Sequence, residues 1–300
     1  MRKDRIDVLG AGLLVGVSFL LGLNQVLIKL VAEGLAPMMQ AGLRSAIAVV
    51  PVLILALILR RRLSLTDGSL PWGILTGVFF AVEFVMLFAA LDYSSVGRVS
   101  VLFYTMPVWM TVAAHFLIPG ERITPMRALG LALAVGGVAV AMIGRTGGEN
   151  ELLGDILCLL AAMIWAGIGL IARLTPMNRS VPEMQLLYQL VVSAVILVPF
   201  AYVLGDQVRD FQPIHGGILL FQACVVVAAG FLTWFWVLSV YPSSDMASFS
   251  FLAPVFGVLC GWLMLGEPLT GSVMGALVLV SAGIVLINRK PKGAAAPHAE

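Results

Sequence analysis

Charges and helix breakers recur along this chain at intervals that leave apolar runs of about 20 residues between them. A hydrocarbon layer about 30 Å thick takes an α-helix of that length. Inside it a backbone must satisfy its own N–H and C=O groups, which leaves a bundle of crossing helices as the fold for such a sequence. Ten runs qualify: Val8–Leu30, Ala36–Leu59, Leu70–Leu91, Val96–Ile118, Met126–Gly144, Leu153–Leu174, Pro182–Leu204, Ile214–Leu238, Ser244–Leu265 and Gly271–Ile287. The polar stretch Arg145–Glu151 divides them five and five. With 60% of its residues hydrophobic and 11% charged, the chain lies well outside the soluble norm. The expected fold class is therefore all-α integral membrane protein.

Basic residues near helix ends set the orientation. An N-terminus in the cytoplasm puts Arg2, Lys3, Arg5, Arg60, Arg61, Arg62, Arg122, Arg127, Arg173, Arg179, Arg289, Lys290 and Lys292 inside. Lys29, Arg98, Arg145 and Arg209 stay outside. Ten spans return the C-terminus to the cytoplasm, where residues 289–300 form a disordered tail. The first apolar run is too long for a cleaved leader and reads as a retained helix. The location that follows is the inner (plasma) membrane of a bacterial-type cell. Cys158, Cys224 and Cys260 sit in apolar runs without ligand spacing, so no metal or other cofactor is expected. A net charge of +2 gives nucleic acid no purchase.

The chain repeats itself. Tyr93-Ser-Ser-Val, Pro107, Gly120-Glu-Arg-Ile-Thr124, Gly130 and Gly137 are answered by Tyr241-Pro-Ser-Ser, Pro254, Gly266-Glu-Pro-Leu-Thr270, Gly275 and Gly283. More loosely, Pro37-Met-Met-Gln40 matches Pro182-Glu-Met-Gln185, and Lys29 matches Arg173. Two units follow, residues 8–144 and 153–288. An odd number of spans in each makes the second enter the membrane upside-down. Inverted repeats with a solute site at mid-membrane are a recurrent plan of secondary transporters.

On these residues the chain resembles the EamA-type branch of the drug/metabolite transporter superfamily over residues 8–288, with Arg44 in span two as a further match. Within that branch it looks somewhat like the YddG-type amino acid exporters. The resemblance implies ten helices around a central cavity, alternating access and export of metabolites. One departure is that Trp165 of the second half has Leu21 at the corresponding place in the first, so the halves are not equivalent around the cavity.

Ionisable groups within a span are costly and mark a pathway or a pair. Glu83 reads as the one carboxylate well inside an apolar run, and Arg44 as the one basic residue comparably deep. Each lies about eight residues, roughly 12 Å, from the outer end of its span. Either the two form a structural ion pair, or Glu83 couples protons or binds an ammonium group. Pro107 and Pro254 each remove a helix hydrogen bond, from the carbonyls of Phe103 and Ser250, and predict bends that flex between states or serve packing alone. Polar and aromatic residues within spans supply solute contacts: Asn24, Gln25, Tyr104, Trp165, Gln185, Tyr188, Gln189 and Ser250, with Gln40, Trp234 and Trp236 as weaker candidates. Gln185, Tyr188 and Gln189 share one helical face, expected to turn toward the cavity. Glu121 and Glu267 are expected to cap the helices that follow them, through Thr124 and Thr270. The Gly-x-x-x-Gly spacings at Gly12, Gly257 and Gly271 predict close helix approach.

The function these features favour is a secondary transporter exporting small organic metabolites, foremost amino acids, including aromatic or apolar ones. Its expected partners are a small-molecule solute, the bilayer and, if coupled, protons; monomer and homodimer both remain open. A translocator of organic cations, drugs or lipid-linked solutes is the alternative. A membrane-embedded enzyme finds little support, because His115, His215 and His298 are isolated and no paired carboxylates lie at one membrane surface. No G-x-x-x-x-G-K-[ST] stretch is present to bind a nucleotide.

Overall fold

The computed structural model of the chain describes residues 6–144, 148–205, 207–241, 249 and 251–288. Among these residues the regular structure is helical, with one isolated bridge between Leu35 and Val208. In chain order the helices are α1 (Val8–Ala32), α2 (Pro37–Ile58), α3 (Leu70–Tyr93), α4 (Val96–Phe103), α5 (Met106–Leu117), α6 (Pro125–Ile143) and α7 (Gly148–Leu174). There follow α8 (Pro182–Leu204), α9 (Pro213–Phe221), a π-helical stretch (Gln222–Ala229), α10 (Gly230–Val240), α11 (Leu252–Leu265) and α12 (Gly271–Asn288). Among the described residues eight helices are long and apolar enough to cross a membrane, taking α4 and α5 together, and Pro213–Ala229 and Leu252–Leu265 are shorter apolar stretches. The protein is thus a multi-pass membrane protein. Its outward faces carry side chains suited to lipid, such as Ile58, Phe116, Ile143 and Val203, all well exposed.

Local chemistry explains the helix starts. Pro37, Pro125, Pro182 and Pro213 each open a helix, where a missing N–H costs nothing. Asp7, Ser95 and Thr124 cap α1, α4 and α6 by accepting from Gly10, Arg98 and Arg127 N–H. The helix ends gather at two faces, which we call the N-terminal face, where α1 begins, and the opposite face. The tyrosine hydroxyl of Tyr241 donates to Asp7 (2.5 Å) and ties the end of α10 to the start of α1 at the N-terminal face. At the opposite face Ala36 N–H donates to Gln207 and Arg209 N–H to Gly34. The Arg209 guanidinium also grips both oxygens of Asp92 (2.8 and 2.7 Å), a pairing that raises the arginine's pKa further.

Packing joins the early part of the chain to the late part throughout. α2 lies on α8, α6 on α12, and α4 on α11, while α1 packs on α11 and α4 and α5 on α7. α3 is wedged against α7 and α8. Glycines set the closest approaches. A Cβ at Gly22 would strike the backbone of Gly257, and one at Gly283 would strike Gly130 and Ala134. Gly257 and Gly261 do mark a tight contact as expected, whereas Gly12, Gly16 and Gly271 face open space.

Three expectations need correction. Pro107 does not merely bend a span: α4 ends at Phe103 and a new helix begins at Met106, with Pro107 in its first turn. Pro254 likewise occupies the first turn of α11, where no intrahelical donor is required. Prolines with helix on both sides are instead Pro51 of α2 and Pro199 of α8, on two helices that pack together. The third correction concerns the glutamates. Thr124 and Thr270 do accept from the N–H of Arg127 and Val273, but Glu267 caps α4, accepting from Val96 (2.8 Å) and Gly97 (3.1 Å) N–H. Lys29 joins it at 3.4 Å. Glu121 pairs with Arg173. Each Gly-Glu turn, its glycine at positive φ (Gly120 +89°, Gly266 +66°), thus offers its acid to the first helix of the other half.

Candidate functional site

Most of the polar residues read from the sequence converge on one cavity of about 290 Å³. Asn24, Gln25, Arg44, Glu83, Tyr104, Trp165, Gln185 and Gln189 all line it, from α1, α2, α3, the α4–α5 break, α7 and α8. Apolar walls complete it: Leu21, Phe80, Phe84, Leu87, Phe103, Ile168, Leu186, Val227 and Phe231. The volume sits at the small end of ligand pockets, and the mix of apolar wall with a few placed polar groups is the usual one.

Arg44 and Glu83 lie together on the cavity lining. Arg44 is 1% exposed and Glu83 2%, both deep within their helices. They do not form the ion pair that the sequence allows, since no nitrogen of Arg44 comes within 4.0 Å of a Glu83 oxygen. The guanidinium lies over the Phe84 ring (4.0 Å to its centroid) and near Phe88 (4.9 Å). Arg44 Nε and Nη2 and Glu83 Oε2 find no hydrogen-bond partner. Buried charge left in this way is expensive.

Two aromatic groups flank the void. Phe103 and Trp165 stack at 4.8 Å with planes 13° apart, and Tyr104 meets Trp165 edge-on at 6.1 Å. Phe80 and Phe84, also on the lining, pack at 4.4 Å. The α4–α5 break is what brings Tyr104 to the lining. Thr105 stabilises it by donating to Leu102 O and accepting from the Trp109 indole N–H.

Polar partners fix the remaining side chains. Asn24 Oδ1 accepts from Gln222 Nε2 (3.0 Å), joining α1 to the π-helical stretch. Gln25 Oε1 accepts from the Ser100 hydroxyl (2.7 Å), while Gln25 Nε2 is buried without a partner. Gln185 spends its amide N–H groups on the carbonyls of Met177 and Ser180 (3.0 and 3.1 Å), so its carbonyl oxygen is the group left over. The cavity reaches the N-terminal face at Ala172 and the exposed Pro182.

Some candidates lie elsewhere. Tyr188 does not line the cavity, although its neighbours at 185 and 189 do. Its ring packs on Gly73 of α3, and its hydroxyl meets Ser69 (3.1 Å) and the Ser64 carbonyl. Gln40 is buried against α1, donating to Ile28 O (3.0 Å). Pro107 and Pro254 are absent from the lining, Ser250 lies outside the described residues, as does the Trp234 side chain, and Trp236 is exposed.

A second charged cluster escapes the sequence reading. Asp155, fully buried on α7, pairs with Arg98 of α4, and Glu151 reaches the same guanidinium at 3.1 Å. Glu83 is therefore not the sole carboxylate deep in a helix. The helix α7 begins at Gly148, ahead of the apolar run, and so carries Asp155 inward. This cluster clamps α4 to α7 away from the cavity.

Comparison with known proteins fits this geometry. Residues 8–143 and 152–289 each match the family model described as the EamA-like transporter family. An uncharacterized transporter of Bacillus subtilis, YoaV, is 25% identical over 91% of this chain and 94% of its own length. A protein of Escherichia coli named a probable amino-acid metabolite efflux pump is 27% identical over 95% of this chain and 94% of its own. A solved crystal structure shares the fold, with a TM-score of 0.65 at 18% identity over 92% of this chain and 96% of that one.

Proposed function

The chain belongs to the EamA-like transporter family, and from that premise we propose that it exports small organic metabolites, amino acids foremost, by alternating access. The observation that carries this reading is the cavity itself, where an arginine and a glutamate share the lining with several aromatic rings. A solute with a charged head and an apolar body matches such a lining. The name of the Escherichia coli relative points the same way.

The working topology is ten spans in two inverted units, with α9, the π-stretch and α10 as the eighth and α11 as part of the ninth. Support comes from the packing of α2 on α8, α6 on α12 and α4 on α11, which sets equivalent elements of the two units against each other. Arg60, Arg61, Arg62, Arg122, Arg127, Arg173 and Arg179 gather at the N-terminal face, which favours placing that face in the cytoplasm. The cavity then opens inward, where an exporter collects its solute. The ties between Arg209 and Asp92 and between Glu267, Lys29 and α4 hold the outer side shut. An organic cation is the weaker reading, since Arg44 would repel it.

Reconstituted into proteoliposomes, the protein should move labelled amino acids in a saturable way and exchange them by counterflow. Flux of organic cations with none of any amino acid would replace this reading with the drug-export one.

A further inference from the structure

Arg44 and Glu83, a base and an acid, face one void, are almost wholly buried, and still do not touch. Left alone in a low-dielectric interior, opposite charges so placed gain by closing into an ion pair. Here the arginine rests on the faces of Phe84 and Phe88 instead, a stacking that guanidinium groups favour. Two nitrogens of Arg44 and one oxygen of Glu83 remain without partners, and Gln25 Nε2, on the same lining, is unpartnered as well. A buried polar group without a partner carries a desolvation penalty that a ligand can relieve.

The chemistry of such a ligand is narrow. A carboxylate alone would satisfy Arg44 and strand Glu83. An ammonium ion alone would do the reverse. A molecule with both groups on one carbon satisfies the two at once and adds no net charge to the site. We propose that Arg44 and Glu83 clamp the head of an α-amino acid, Arg44 taking the carboxylate through its planar fork and Glu83 the ammonium group. The side chain of the amino acid then lies between Phe84 and the stacked Phe103–Trp165 pair, where an apolar or aromatic body is preferred. This deepens the transport reading, on which its biological meaning rests, although the clamp itself is a statement about binding.

Binding separates the two. L-phenylalanine, its amide (no carboxylate) and 3-phenylpropionate (no amine) are titrated calorimetrically into the full-length protein in nanodiscs. L-phenylalanine should bind, and each analogue should bind at least about tenfold more weakly. Arg44→Gln should abolish the preference for phenylalanine over the amide, and Glu83→Gln the preference over phenylpropionate. Equal binding of all three compounds by the unaltered protein overturns the clamp, as does no binding of phenylalanine. So does full discrimination surviving in folded Arg44→Gln protein. The unaltered protein decides alone if the variants fail to fold. Flux of another solute without phenylalanine binding would sink the clamp and leave transport standing. Phenylalanine binding without flux would do the opposite.

Discussion

Glu267 holds three donors at once, the Val96 and Gly97 N–H groups and the Lys29 ammonium, and is only 14% exposed in its side chain. Glu121 holds Arg173 in a much more open setting, at 35%. Solvent screens exposed pairs strongly, so the two related acids differ in weight. Glu267→Gln should lower stability by about 1 kcal/mol, through a weakened cap and a lost charge pair. Glu121→Gln should cost distinctly less. Thermal unfolding in detergent reads both, and the reverse ranking would refute the assignment. Residue-scale legibility divides along the same physics. Depth along a helix can be counted from the sequence, which is why Arg44 and Glu83 are recognisable as a matched pair. Rotation about the helix axis and reach of the side chain cannot be counted. Gln185, Tyr188 and Gln189 share a face by spacing, yet the long Tyr188 ring swings onto Gly73, where only a glycine leaves room.

Helices are held together here by small residues rather than by an excess of apolar burial, because lipid competes equally for apolar side chains. Gly283 of α12 and Gly130 of α6 approach backbone to backbone, while Gly12 of α1 faces open space. Gly283→Leu should therefore cost about 1–3 kcal/mol by overpacking, and Gly12→Leu should be close to neutral. Comparable losses in thermal unfolding would show that the α6–α12 contact has been misjudged. Element boundaries follow the sequence where a proline or cap marks them, as at Pro37, Thr124 and Pro182. They diverge where tertiary contacts decide. The run Val96–Ile118 is apolar for most of its length, and nothing in its composition separates a kink at Pro107 from the full break between Phe103 and Met106. Nor does apolar character distinguish the wide turns of Gln222–Ala229 from an ordinary helix.

The molecule as a whole is asymmetric although its sequence repeats. Its void reaches the N-terminal face at Ala172 and Pro182, while the opposite face is stitched by Arg209, Asp92, Gly34 and Ala36. A cysteine placed at Ala172 should react with a membrane-impermeant maleimide applied from the N-terminal face, and bound phenylalanine should slow that reaction. Labelling from the other side alone would contradict the inward opening. The duplicated Gly-Glu turns make the repeat plain in the sequence. Which side of the membrane a duplicated bundle leaves open is set by small differences in packing and leaves no pattern in residue order. One such difference is the π-helical stretch ahead of Gly230, which Asn24 anchors through Gln222. A helix wound this loosely stores slack. Each residue taken up on tightening to α pitch screws the chain beyond it by about 100° and 1.5 Å. Phe231 sits just past that point on the cavity wall, so the stretch can act as a swivel that turns one wall of the chamber while its neighbours stay still.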